Sequence, residues 1–213
     1  MIDMRRLNWT SYNAANGYLT VGGGITTGEM ANATHALGKE ITVGSCPCTG
    51  ALGVTMGGGI GRLMGRHGLI IDSLVEMRYV LADGTAITLN NQTDTELWWG
   101  VRGAGQNFGI ATQATYKVYD QVNDGNHYAV DMEFSMSQLQ QILTVINAQS
   151  EALPESLALF FVAVPVGSTG GPIIAINFVY SGPVVDSQKY LQPWLEISPV
   201  TFSDRVVQWD SLP

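Results

Sequence analysis

The stretch Gly44-Ser45-Cys46-Pro47-Cys48-Thr49-Gly50, continued by Ala51-Leu52-Gly53-Val54-Thr55-Met56-Gly57-Gly58-Gly59-Ile60-Gly61-Arg62-Leu63-Met64-Gly65-Arg66-His67-Gly68, is the densest signal in the chain. Glycine at this density is costly in backbone entropy. Some of these positions must need a left-handed φ or a very close approach of backbone to something else. A bound cofactor is one candidate, because exposed amides cradle a pyrophosphate. A sharp, self-packed turn is the other. The sequence leaves both open.

The obvious nucleotide sites fail on spacing. A dinucleotide fingerprint needs G-x-G-x-x-G between a strand and a helix. Gly103-Ala104-Gly105 is followed by Gly109, one residue too late. Gly57 to Gly61 offers Arg62 or Met64 where the third glycine should fall. No Gly-Lys-Ser/Thr occurs, so a P-loop is disfavoured too. Cys46 and Cys48 flank Pro47, and on extended backbone positions i and i+2 face the same side. A disulfide between them would be strained, and a metal needs more ligands than the histidines offer at useful spacing. An isolated cysteine usually acts as a small buried hydrophobe. The glycine context favours a reactive role for Cys46, since a thiolate beside an electrophilic ring can form a covalent adduct.

Composition narrows the rest. The 213 residues are 46% hydrophobic and 13% charged, which describes a globular chain with a real core. The net charge is −8 and no Lys/Arg cluster tracks a phosphate backbone, so nucleic acid is not an expected partner. No apolar run reaches the roughly 18 residues of a membrane span. The N-terminus Met1-Ile2-Asp3-Met4-Arg5-Arg6 lacks the apolar segment of a signal peptide. The sequons at Asn8, Asn32 and Asn91 tilt the expectation weakly toward secretion of the full-length form.

Along the chain, Tyr18 to Val21 reads as a strand, Gly28 to Leu37 as a helix opened by Thr27 and capped by Gly38, and Ile41 to Val43 as a strand. Ser73 to Leu81 and Ala86 to Leu89 form a hairpin across Ala82-Asp83-Gly84-Thr85. Thr95 to Gly100 is a helical turn and Gly109 to Tyr119 a strand. The polar run Asp120 to Asn126 marks a boundary. Beyond it, Tyr128 to Phe134, Leu157 to Val164 and Ile173 to Tyr180 read as strands. Ser137 to Leu153 and Val185 to Leu195 read as helices, the second interrupted near Pro193. Gly167-Ser168-Thr169-Gly170-Gly171 joins two of the strands. The expected class is α+β, with domains at 1–120 and 127–213.

These motifs, together with His67-Gly68-Leu69-Ile70-Ile71-Asp72-Ser73-Leu74, Leu81-Ala82-Asp83-Gly84-Thr85 and the run from Trp99-Gly100-Val101-Arg102-Gly103 to Gly109-Ile110-Ala111-Thr112, carry a resemblance. It extends from Ile2-Asp3-Met4 to Phe178-Val179-Tyr180-Ser181-Gly182-Pro183. The chain resembles the berberine bridge enzyme-like FAD-linked oxidases of the vanillyl-alcohol oxidase/PCMH superfamily. The resemblance implies the second part of a PCMH-type FAD-binding domain, then the start of an α+β substrate domain with an antiparallel sheet. It implies FAD as cofactor, with Cys46 as the cysteine that bonds carbon six of the flavin ring. It implies cofactor contacts from Ser45, Thr49, Gly50, Gly53, Gly58, Gly59 and Gly61, and from Gly109 and Ile110 near the ADP half. It implies a small-molecule substrate (an alcohol, sugar or secondary metabolite), hydride transfer to flavin N5, and molecular oxygen as acceptor. No residue here matches the family's catalytic base.

Several residues depart from the pattern or fall outside it. Val54 replaces a frequent histidine, and Thr49 stands where the family has valine. Cys48 reads as a packing residue, as do Trp98, Trp99 and Phe108. Arg62, Arg66 and His67 read as a solvated face. The family's upstream Arg-Ser-Gly-Gly-His loop and its downstream segment have no match, so the chain is expected to be the middle of a longer enzyme. A scaffold that keeps the fold without FAD is the alternative.

Overall fold

The computed structural model describes residues 2–151, 153–168 and 170–212. Two positions of the expected helix and linker, Ala152 and Thr169, lie outside them. The chain divides into two compact units. One holds the residues up to Gln121 together with Trp209 onward, and the other runs from Val122 to Gln208.

The first unit opens with β1 (Thr10–Asn13) and β2 (Tyr18–Gly22), then α1 (Thr27–Ala36) and β3 (Lys39–Glu40). Two short helices, α2 (Ala51–Met56) and α3 (Met64–His67), occupy the glycine-rich stretch. The long strand β4 (Leu74–Leu81) and β5 (Ala86–Asn90) form the hairpin the Ala82 to Thr85 turn dictates. Next come α4 (Thr95–Ala104), β6 (Gly109–Lys117) and β7 (Tyr119–Asp120). The main sheet runs β1-β2-β6-β4-β5, and every pairing in it is antiparallel. Its inward residues, Leu19, Val21, Met77, Tyr79, Ala114 and Tyr116, are fully buried. The period-two alternation of a half-buried strand puts them there.

Thr26, one residue earlier than expected, caps α1 with a capping box to Glu29. Ile41 to Val43 form no strand. The partner strand β7 is only two residues long and pairs with Lys39 and Glu40, so no ladder reaches further.

The second unit comprises β8 (Asn126–Ser135), α5 (Leu139–Gln149), β9 (Leu157–Val164), β10 (Ile173–Tyr180), α6 (Val184–Glu196) and β11 (Thr201–Gln208). Its antiparallel sheet has the order β11-β8-β10-β9. Tyr128, Val130, Met132 and Phe134 alternate onto one face and meet Ile142, Leu191 and Trp194. Each such large apolar side chain contributes about 1.5–3 kcal/mol on burial. Helix α6 continues through Pro193, against the expected interruption. The proline forfeits one hydrogen bond near the helix end, and the buried Leu191 and Trp194 hold the turn on either side of it.

The division departs from the 127–213 expectation at its C-terminal side. Trp209 is 1% exposed and donates its indole N–H to Thr34 Oγ1 at 3.1 Å, which ties it to α1 of the first unit. Among the described residues no helix is long and apolar enough to cross a membrane.

Candidate functional site

Burial changes abruptly along the cysteine segment. Ile41 to Gly44 are buried, and Ser45 to Gly50 are all exposed. Buried groups on both sides fix the exposed run. Thr42 donates its hydroxyl to the Gly68 carbonyl at 2.8 Å, and Thr27 donates to the Cys46 carbonyl. The amide of Thr27 bonds the Thr49 carbonyl at 2.8 Å, and that of Ala51 bonds Ile25 at 2.9 Å.

Within this frame Cys46-Pro47-Cys48-Thr49 closes as a tight turn, with the Thr49 amide on the Cys46 carbonyl at 3.2 Å. Proline suits the second position because its φ is already set. Cys46 and Cys48 are both free and exposed, their sulfurs 3.1 Å apart. Cys48 is therefore no packing residue. It stands against Cys46, as the i, i+2 geometry allows. The Thr49 hydroxyl, then the Cys48 thiol and amide, donate toward the Cys46 sulfur and hold its thiol below the ordinary cysteine range. Cys48 is pushed the other way, chiefly by donating to Cys46 and by the charge there.

The glycines separate into two groups. Gly59 and Gly61 are required by the protein's own packing. A Cβ on Gly59 would fall 1.8 Å from Ile70 Cγ2, and one on Gly61 would fall 2.0 Å from the Val43 carbonyl. Gly58 and Gly59 also have φ of +106° and +80°, where L side chains are strained. A Cβ on Gly109 would meet the Val80 carbonyl at 2.2 Å, so strand pairing demands that glycine. Packing within the protein explains these three without any ligand. Gly50 and Gly53 differ, since nothing lies within 4 Å of a Cβ built on either. Val54, in place of the expected histidine, points its methyls between Gly44 and Gly59.

Cys46, Cys48 and Thr49 thus share one turn, and Gly50 and Gly53 follow on the start of α2. Gly50 also borders a cavity of about 410 Å³ between the arm Ile2–Arg5 and Gly23–Gly24. Gly58, Gly59 and Gly61 lie behind, against Leu69, Ile70 and Val43 respectively. Gly109 and Ile110 stand apart, opposite Leu81 and Val80 at the start of β6. Gln106 links the regions by donating to the Gly53 carbonyl at 3.2 Å. Tyr116 anchors α2 to the sheet through Thr55 Oγ1, 2.8 Å away.

The expectations for His67, Trp99 and Phe108 change. His67 is no solvated residue: its Nε2 sits 2.8 Å from the buried Glu40 carboxylate, and its ring stacks on Tyr119. Trp99 is 81% exposed and Phe108 is exposed, while Trp98 is buried as expected. Helix α4 breaks at Arg102 and Gly103, where the backbone leaves helical geometry.

In the second unit, the sheet face away from the helices bears a cavity of about 340 Å³. Asp131 lines it and accepts from Asn177 Nδ2 at 2.6 Å and from Arg205 Nη1 at 2.7 Å. Phe160 and Val162 border these polar groups. Sequence reading missed this trio because strand β11, which carries Arg205, went unrecognised. The alternation that exposes Asp131 within Tyr128 to Phe134 was the available signal.

An exposed sulfur and neighbouring glycines whose Cβ side is open are compatible with a flavin dinucleotide approaching the backbone closely. Residues 1–90 match the FAD binding domain family. The chain's curated relatives are named FAD-linked oxidoreductases, and a berberine bridge enzyme-like protein is among the solved structures it resembles. It is 36% identical over all its 213 residues to the FAD-linked oxidoreductase alt4 of Alternaria solani, covering 42% of that protein. The berberine bridge enzyme-like 1 protein of Physcomitrella patens superposes with a TM-score of 0.84 at 26% identity, over 97% of this chain and 44% of that one. The glucooligosaccharide oxidase of Acremonium strictum, described with a 6-S-cysteinyl, 8α-N1-histidyl FAD, shares the fold. Its TM-score is 0.81 at 20% identity, over 97% of this chain and 43% of that one. The chain therefore spans less than half the length of these relatives.

Proposed function

We propose that this chain forms the flavin-facing part of an FAD-dependent oxidase that removes a hydride from a small alcohol, sugar or secondary metabolite. The observation that carries this reading is the exposed Cys46 sulfur, set among donors beside the open glycines Gly50 and Gly53. When bound, FAD supplies the two-electron acceptor and passes the electrons to molecular oxygen, which yields hydrogen peroxide. Cys46 would hold the ring edge covalently. Thr49 and Ser45 line the same exposed turn, and the backbone of Gly50 and Gly53 lies open for close approach. Gly58, Gly59, Gly61, Gly109 and Ile110 would touch the cofactor only through backbone that packing has already fixed. On the second unit, the Asp131–Asn177–Arg205 trio beside Phe160 offers both hydrogen bonds and apolar contact to an amphipathic substrate. The sequons favour a secretory compartment for the full-length form.

The test is retention of flavin. The chain, expressed with added riboflavin and denatured, is expected to keep flavin fluorescence on the peptide that contains Cys46. Cys46→Ala is expected to release that flavin on denaturation. A folded protein that stays colourless at saturating FAD would instead identify a scaffold without cofactor.

A further inference from the structure

We propose that Cys46 and Cys48 form a reversible dithiol–disulfide pair, an oxidisable site whose bridged form withholds the Cys46 sulfur from other partners. Their sulfurs are 3.1 Å apart, and both thiols are exposed and free. A disulfide bond needs them roughly 1 Å closer, a shift that two exposed side chains can make. The backbone beneath them is fixed. Thr27 Oγ1 and the Thr49 amide both donate to the Cys46 carbonyl. The Gly28 amide donates to the Pro47 carbonyl at 3.0 Å, and the Thr27 amide to the Thr49 carbonyl at 2.8 Å. Thr27 and Gly28 are the first residues of α1, and a Cβ on Gly28 would fall 2.9 Å from Pro47 Cβ. The start of the helix therefore clamps the turn and keeps the two sulfurs together.

The sequence holds 2 cysteines, so this is the one disulfide the chain can close within itself. The bridge would enclose a single residue, Pro47. Stabilisation by a disulfide grows with the loop it closes, so this one adds little to the fold. A short, strained and exposed bridge has a high reduction potential and is readily reduced again. The pair thus suits a switch better than a staple. With hydrogen peroxide as oxidant, one thiolate attacks a peroxide oxygen, which leaves a sulfenic acid on that sulfur and releases the other oxygen as water. The second sulfur then displaces the sulfenic oxygen as a second water while the S–S bond forms. Together the sulfurs lose two electrons, and the peroxide is reduced to two waters. The proposal rests on the flavin reading only for its consequence: a sulfur held in the bridge is not available to the ring.

The test needs no flavin. The chain is reduced, desalted under argon and given either hydrogen peroxide or glutathione disulfide, and its peptides are read by mass spectrometry. Peptide already carrying flavin has a different mass and is counted separately. The peptide that holds both cysteines is expected to lose the mass of two hydrogen atoms. Both thiols should then be lost to iodoacetamide under denaturing conditions, and dithiothreitol should restore both. Cys48→Ser treated with peroxide is expected to gain oxygen at Cys46 instead, because no second thiol resolves the sulfenic acid. At a fixed glutathione ratio the bridged fraction should be larger in the folded chain than in urea, where α1 no longer holds the turn. Three results would each overturn the proposal: no loss of hydrogen, a bridge between two chains instead, or a bridged fraction no larger folded than in urea. The bridge is read by mass alone, so its failure and a failure to retain flavin are told apart.

Discussion

His67 Nε2 lies 2.8 Å from Glu40 Oε1, and the imidazole is laid flat on Tyr119 with ring centroids 4.0 Å apart. This contact ties the end of α3 to the two-stranded β3–β7 ladder. The chain that leaves β3 leads directly through Thr42 to Cys46, and Thr42 is itself bonded to Gly68 beside His67. The clamp therefore sets the approach of the cysteine turn. Replacing His67 by leucine removes a partner from a carboxylate that is fully buried. Urea unfolding should show a loss of about 1–3 kcal/mol. Asparagine, which can still donate, should recover part of it. An unchanged midpoint for His67→Leu would mean that the pair does not hold the segment.

The two kinds of glycine should respond in opposite ways to alanine. Gly61→Ala forces a methyl to 2.0 Å from the Val43 carbonyl, and the chain must move to relieve it. The expected outcome is destabilisation by about 1–3 kcal/mol or more. Gly53→Ala meets nothing within 4 Å and lies inside α2, where alanine is favoured by up to about 1 kcal/mol. This variant should melt at the same temperature or higher, yet bind FAD less tightly. Equal flavin affinity in Gly53→Ala would remove Gly53 from the candidate site.

The contrast between these glycines also shows what the sequence could and could not convey. Glycine density at 50–68 was legible, but its cause was divided. Val43 and Ile70 impose two of the glycines from sequence positions that no local pattern connects to them. The hairpin at Asp83-Gly84 and the strands Leu157 to Val164 and Ile173 to Tyr180 could be read because their signals are local: a turn residue, or an apolar run between breakers. Strand β11 was not legible. As an edge strand it is almost wholly exposed, so Thr201 to Gln208 shows no buried alternation. Its residue Arg205, and with it the Asp131 trio, became visible only through strand pairing. Cys48 illustrates the reverse case. Its spacing from Cys46 placed it on the right side, but exposure had to come from the fold.

The second unit carries a pH-sensitive group. Tyr128 donates its hydroxyl to Asp204 Oδ2 at 2.7 Å, and burial first, then that carboxylate, raise its pKa to about 12. A raised value in the folded state means that folding favours the protonated phenol. The associated stability is whole below the ordinary tyrosine value of about 10. It is lost as pH climbs from there toward 12, because the unfolded chain ionises first. Stability measured by urea at stepped alkaline pH should therefore fall over that window. Tyr128→Phe should start lower by about 1 kcal/mol, from the lost hydrogen bond, and should fall less steeply. Parallel slopes for the two proteins would exclude Tyr128 as the source.

Trp209 tests whether the residues after β11 stabilise the first unit. It is 1% exposed, and its indole N–H reaches Thr34 Oγ1, a hydroxyl that already donates to the Met30 and Ala31 carbonyls within α1. Thr34 therefore keeps its own donor satisfied whatever stands at position 209. Trp209→Phe should cost about 1–2 kcal/mol, combining one lost hydrogen bond with a smaller ring. Trp209→Ala should cost about 3–5 kcal/mol, the range for emptying a buried aromatic site. Hydrogen exchange locates the effect, because α1 amides should lose protection in Trp209→Ala by the same free energy. If only the second unit's amides lost protection, Trp209 would belong energetically with the strand that precedes it.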